Sequence, residues 1–227
     1  MIGFYDYTII LTFIGLITSV FGITQAVAGN FGIAMFCLAL SGLCDAFDGR
    51  VARSKKNRTE DEKSYGIQLD SLCDMTVFGA LPAVSCWLMG VKGIIGYVAI
   101  AYYCVCSVTR LAYFNVIEIN RMNGKEMGEK VYHGLPITSI AVILPVLYTF
   151  RYIISEKAFV NMLTGILFVV GTCFITDFKV RKPKKFAMAG LIVLVGAAML
   201  TGFMLSRHGI GLYRAGYTFK KVVGRLA

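Results

Sequence analysis

Charged residues vanish from long stretches of this chain and return at intervals. Seven apolar segments, roughly 6–28, 31–53, 66–89, 93–118, 135–154, 157–176 and 186–206, are each long enough to cross a bilayer core of about 30 Å as a helix. The breaks between them are short, as at Gly29-Asn30, Gly90-Val91-Lys92-Gly93 and Ser155-Glu156-Lys157. No soluble domain is inserted and no internal repeat is visible. The pattern predicts an all-α, polytopic membrane helical bundle. Nothing ahead of Thr8–Ala28 resembles a basic n-region or a small-residue cleavage site, so this segment is expected to be a retained helix.

Composition sharpens that picture. Of 227 residues, 57% are hydrophobic and only 16% charged, where a soluble domain carries about 25% charge. The seven cysteines all fall in apolar segments without a Cys-x-x-Cys pair, so they read as small apolar fillers. The net charge is +10. Its basic residues interrupt apolar spans and build no separate domain, which argues against nucleic acid and for membrane lipids as the partner. Three basic connections, Arg53–Lys63, Arg121–Lys130 and Lys179–Lys185, follow segments two, four and six. They lie on one side, which the positive-inside rule makes cytoplasmic, together with the N-terminus. The tail from Arg207 to Arg225 has five Lys/Arg and no acid, yet seven spans would place it on the opposite side.

Most of the 13 acids lie in the polar connections or at segment ends, among them Asp61, Glu62, Glu126, Glu129 and Glu156. Four do not. Asp45 and Asp48 sit on segment two, and Asp70 and Asp74 on segment three. A charge at the bilayer centre costs at least about 2.5–3.5 kcal/mol, and less towards the interface, so four acids need a reason. At about 100° per residue, Asp48, Gly49 and Ala52 fall within about 60° of Asp45. Gly66, Asp70 and Asp74, spaced by four, share a face of the next helix. The two segments are sequential and antiparallel, so the two dicarboxylate faces can converge. Such a cluster calls for divalent cations, and an oxygen-only donor set suits two Mg²⁺ or Mn²⁺ ions in the arrangement used on phosphoryl groups. Gly49, Ala52 and Gly66 clear a groove for a ligand. The bland alternative is a salt-bridge cluster with Arg50 and Arg53.

The spaced set Asp45-x₂-Asp48-Gly49-x₂-Ala52-Arg53 with Gly66-x₃-Asp70-x₃-Asp74 resembles the signature of the CDP-alcohol phosphotransferase family. One departure is the twelve-residue gap between Arg53 and Gly66, longer than the family usually has, with the excess in a polar loop. Further stretches, Leu69–Ala83, Arg110–Val116, His133–Pro136 and Phe178-Lys179, look like the phosphatidylserine synthase branch. The resemblance implies a six-helix membrane core, placed here at residues 1–185, with 186–227 as an extra span and basic tail. It implies a cytoplasm-facing cavity, a homodimer, and transfer of a phosphatidyl group from CDP-diacylglycerol to L-serine with release of CMP. By the same resemblance Asp45, Asp48 and Asp70 hold the metals. Asp74 is the general base and also touches a metal, while Asp45, Gly49, Ala52, Arg53 and Gly66 line the CDP site.

Serine adds a demand for a cation near its carboxylate. Arg110, in an apolar helix near its cytoplasmic end, is the candidate, with snorkelling to the headgroups as the alternative. Asn115, about 140° away on that helix, is a weaker one. His133 is either a ligand contact or simply the residue that begins a helix. The nearest alternative function keeps the chemistry and changes the alcohol to glycerol phosphate, inositol phosphate or choline. A cation transporter using the four acids is the remote one, and it leaves the Gly/Ala spacing unexplained.

Overall fold

The structure is a computed structural model that describes residues 3–55, 57–122, 124, 132–180 and 196. Its helices are α1 (Ile10–Val27), α2 (Phe31–Ser54), α3 (Glu60–Asp74), α4 (Leu81–Leu88), α5 (Gly93–Met122), α6 (Ile140–Thr149) and α7 (Glu156–Ile175). Met75–Ala80, a π-helical segment, joins α3 to α4 into one continuous rod. Five of the resulting rods are long and apolar enough to cross a membrane. A sixth, Ile137–Tyr152, is α6 with a 3₁₀ turn at each end. A 3₁₀ turn rises about 2.0 Å per residue against 1.5 Å in an α-helix, so this short piece still covers roughly 27 Å. Six predicted segments thus correspond to helices of an all-α bundle, and the chain is an integral membrane protein. The seventh, 186–206, and the basic tail lie outside the described residues.

Packing of α1 on α2 follows from residue size. The buried positions of α1 are Gly15, Ser19, Gly22 and Ala26, a stripe of small side chains one turn apart. Opposite them α2 buries Cys37, Ser41, Cys44 and Asp48. Lipid tails are as apolar as leucine, so close backbone approach, not hydrophobicity, holds such helices together. The Ser41 hydroxyl donates to the Gly15 carbonyl at 2.9 Å, a hydrogen bond that only this close approach permits. All seven cysteines are unpaired, and five are buried, as their filler reading expected.

The centre of the bundle is dry. Met35, Leu38, Phe78, Leu81, Tyr103, Ile140, Leu144, Leu163, Leu167 and Phe174 are almost wholly buried there. Pro82 stands in the first turn of α4, within the α3–α4 rod. Pro82 has no N–H to return to the Phe78 carbonyl four residues earlier. The Tyr103 hydroxyl on α5 donates to that carbonyl instead, which closes the account of a freed backbone group in an apolar interior. On α5 and α7, Tyr102 and Thr172 share a hydroxyl hydrogen bond of 3.0 Å, and Gly171 lets the helices approach at Tyr103.

One boundary differs from the sequence expectation. Helix α3 begins at Glu60, not near 66, because Thr59-x-x-Glu62 is a capping box: each side chain accepts a backbone N–H at the other position. Asp61 and Glu62 therefore belong to the first turn of α3 rather than to a loop. The loop before it, read as tolerant polar filler, is also tied down. The Lys55 ammonium bridges Asp6 at 2.9 Å and Glu62 at 3.0 Å.

Candidate functional site

The carboxylates are gathered by two rods that run antiparallel. Asp45 and Asp48 come one turn apart from the second half of α2, and Asp70 and Asp74 one turn apart from the last half of α3. One carboxylate oxygen from each of Asp45, Asp70 and Asp74 lies within 4.8 Å of the others. The Asp48 side chain is buried and lies against Asp70. The dicarboxylate faces therefore converge as their spacing predicted. A narrow cavity beside them is lined by Thr12, Gly15, Ser41, Cys44, Asp45, Asp48, Cys73 and Asp74, and is floored by Val77 and Phe78. The floor is the π segment, so the wide turn begins where the acids stop. Insertions of this kind frequently accompany functional sites, because they re-aim the residues on either side.

The donor set answers the question of a cation directly. Four carboxylates converge at the end of an apolar bundle, and none offers a nitrogen or sulfur ligand. Hard, oxygen-seeking divalent ions fit such a set. The acid cluster is a structural fact.

Other predicted site residues fall into place unevenly. Gly49 and Ala52 continue α2 beyond Asp48, and both are partly exposed. Gly66 stands one turn before Asp70, and the space its missing side chain leaves holds the guanidinium of Arg58. The side chains of Arg50 and Arg53 lie outside what the structure describes.

Arg110 is 7% exposed and turned into the bundle, which sets it apart from a snorkelling residue. It faces Gly134, where a Cβ would lie 3.4 Å from Arg110 Nη1. Gly134 adopts a φ of +74°, a conformation that favours glycine, and its N–H donates to the Phe178 carbonyl at 2.8 Å. Beside it Tyr132-His133 pairs antiparallel with Lys179-Val180. His133 is thus a backbone partner of Lys179, and its side chain lies outside the described residues. The stretches His133–Pro136 and Phe178-Lys179, far apart in sequence, form one wall behind Arg110.

Asn115 comes closer to the acids than its angle from Arg110 suggested. Its Oδ1 accepts a hydrogen bond from the Ser71 hydroxyl at 2.5 Å, next to Asp70. Its position was legible by another route. The buried stripe of α5 runs Gly96, Ala99, Tyr103, Cys106, Ser107, Arg110 and Leu111, and one more turn reaches Asn115. Ser71 is the link between the α3 acids and α5.

Fold and site together define a membrane-embedded helical bundle with an acidic centre at one end. The family model of CDP-alcohol phosphatidyltransferase matches residues 8–176. The chain belongs to that family. Among curated relatives, the CDP-diacylglycerol–serine O-phosphatidyltransferase of Saccharomyces cerevisiae is 35% identical over 115 residues, 49% of this chain and 40% of that protein. The protein of the same name from Mycobacterium bovis is 29% identical over 184 residues, 76% of this chain and 63% of that one. That of Methanocaldococcus jannaschii is 28% identical over 186 residues, 78% of this chain and 82% of that one. The matched region thus spans 40% of the yeast relative and 63% of the mycobacterial one.

Proposed function

We propose that the protein is a transferase of phospholipid biosynthesis that moves the phosphatidyl group of CDP-diacylglycerol to the hydroxyl of L-serine, giving phosphatidylserine and CMP. The observation that carries this reading is the convergence of Asp45, Asp48, Asp70 and Asp74 on one another beside a cavity, in a chain of this family. The names of the relatives favour serine among the alcohols.

Asp45, Asp48 and Asp70 would hold two Mg²⁺ or Mn²⁺ ions, with Asp74 reaching one of them; when bound, such ions neutralise a diphosphate and stabilise CMP as leaving group. Asp74 accepts the serine hydroxyl proton as the serine oxygen bonds to the lipid-side phosphorus and the phosphoanhydride bond to CMP breaks. Asp45, Gly49, Ala52, Arg53 and Gly66 line the nucleotide side, Arg53 as a phosphate partner. Arg110 offers its guanidinium to the serine carboxylate, and Asn115, which accepts from Ser71 beside Asp70, adds a polar group on the same helix. His133 is the third residue assigned to the serine side, through the wall it forms with Lys179. Only cytidine and diphosphate need polar walls, so the acyl chains remain in the bilayer. The basic connections argue for a cytoplasm-facing site in the cell membrane, and the family resemblance argues for a homodimer.

The test uses purified protein with CDP-diacylglycerol, Mg²⁺ or Mn²⁺ and a panel of alcohols, with CMP release as the readout. Serine-dependent CMP release that a chelator abolishes is expected. No CMP with any alcohol would overturn the enzyme reading. Release with inositol phosphate, glycerol phosphate or choline but not serine would overturn only the acceptor.

A further inference from the structure

The loop between α2 and α3 carries an arginine whose position no packing need explains. Arg58 lays its guanidinium on Gly66: a Cβ at that glycine would lie 2.7 Å from Nη2, 3.7 Å from Cζ and 3.9 Å from Nη1. Nη2 donates to the Glu62 carbonyl at 3.1 Å. Nε is buried and has no hydrogen-bond partner. A buried N–H without an acceptor is a cost to the folded state that an arriving acceptor removes. A purely structural arginine would have its donors met by the fold.

The surroundings leave the side chain able to turn while its backbone stays put. Thr59 and Glu62 cap α3 directly behind Arg58. Lys55 is held between Asp6 and Glu62. Gly66, Asp70 and Asp74 share one face of α3, and one turn from 66 to 70 is about 6 Å. The guanidinium therefore stands on the acid face, about one turn from Asp70. Its planar fork of donors matches phosphate oxygens two at a time.

We propose that Arg58 is a binding residue for the diphosphate of the CDP-lipid, held over Gly66 until that anion arrives at the carboxylate centre. This rests on the transferase reading above. The glycine at 66 then serves two states: it seats the guanidinium when the site is free and clears the groove when the nucleotide is bound. Neither the spacing of the acids nor the length of the loop assigned this role.

The experiment compares wild type with Arg58→Ala, Arg58→Lys and Arg58→Gln in detergent or nanodiscs with Mg²⁺. Binding of CDP-diacylglycerol and of free CDP is measured directly, CMP release is followed at varied CDP-lipid and varied serine, and thermal melting is recorded. Arg58→Ala and Arg58→Gln are expected to weaken both ligands at least about tenfold, the size of one charge-assisted hydrogen bond. The serine KM should not move. Arg58→Lys should recover part of the loss. Gln retains a donor for the Glu62 carbonyl, so its loss of affinity reports the charge and not the fold. Unchanged CDP affinity in both variants would overturn the proposal, whatever the melting temperature does. So would a loss seen only in membranes of anionic lipid and not with free CDP, since that pattern marks a headgroup contact. A wild type that binds CDP-lipid and turns over beside an indifferent Arg58→Gln separates failure of this proposal from failure of the transferase reading. A wild type that neither binds nor releases CMP overturns both.

Discussion

Glycines at two places in the same bundle serve opposite ends. At Gly42 on α2 a Cβ would lie 2.6 Å from the Ala141 Cβ of α6, and at Gly22 on α1 2.9 Å from the Cys37 Cβ of α2. These neighbours are anchored next to their own backbones and cannot step aside. At Gly66 a Cβ would meet only the far end of the Arg58 side chain. The first kind of glycine is there so that two helices can touch. The second leaves a space one turn before Asp70, and what fills it is the movable end of a side chain. The difference separates helix seams, where small residues let backbones touch, from the acid face of α3, where the space beside a glycine holds the end of a movable side chain.

The comparison can be broken most sharply at Asp74. If the acid face serves chemistry rather than packing, Asp74→Asn should cut kcat by about 10²- to 10⁴-fold, the range of a general base, while CDP-lipid binding and melting temperature hold. Near-normal turnover would remove Asp74 as the base. At the α2–α6 seam the converse is expected. Gly42→Val should destabilise the fold by about 1–3 kcal/mol through overpacking against Ala141, measured by denaturation in detergent. A fully stable variant would mean that α2 and α6 can separate without cost.

Smaller effects sharpen the same contrast. Arg110→Ala should raise the serine KM about tenfold with the CDP-lipid KM unmoved, because one charge-assisted partner is lost. An unchanged serine KM would make Arg110 a support of the Gly134 turn and nothing more. Gly66→Ala should raise the CDP-lipid KM a few-fold, about the size of one ordinary hydrogen bond, with little change in melting, since only a flexible side chain has to move. A melting loss as large as that of Gly42→Val would erase the distinction between the two glycines.

The least effect is expected at the N-terminal tie. Hydrogen bonds from Thr8 and Lys55 hold the Asp6 carboxyl down to about 2. Its folded value lies below the ordinary aspartate value of about 3.9, so its contribution is complete above that pH and fades as pH falls towards 2. Amide exchange near Tyr7–Ile9 should rise across that window, and Asp6→Asn should show no such rise there.

Much of the site was legible because helix geometry is rigid. Spacings of three and four are enough to put Asp45 with Asp48 and Asp70 with Asp74, and a short loop forces the two helices to run antiparallel. The start of α3 was legible too, in Thr59-x-x-Glu62, although hydropathy alone moved it towards residue 66. The contact of Asn115 with Ser71 was not read, because the angle of Asn115 was taken from Arg110 rather than from the buried stripe it extends. Arg58 could not be found this way: a loop arginine has no period, and its seat on Gly66 depends on how the chain returns to α3.

From sequence alone came the membrane bundle, the order of its spans, the two acid faces and the small residues beside them, since each follows from hydrophobic length or from the turn of a single helix. Tertiary structure decided what lies between helices. It brought Asp45, Asp70 and Asp74 within 4.8 Å of one another, linked Ser71 to Asn115, turned Arg110 inwards against Gly134, and gave the Phe78 carbonyl the Tyr103 hydroxyl. Those are contacts between distant parts of the chain, and no local periodicity encodes a distance between two helices.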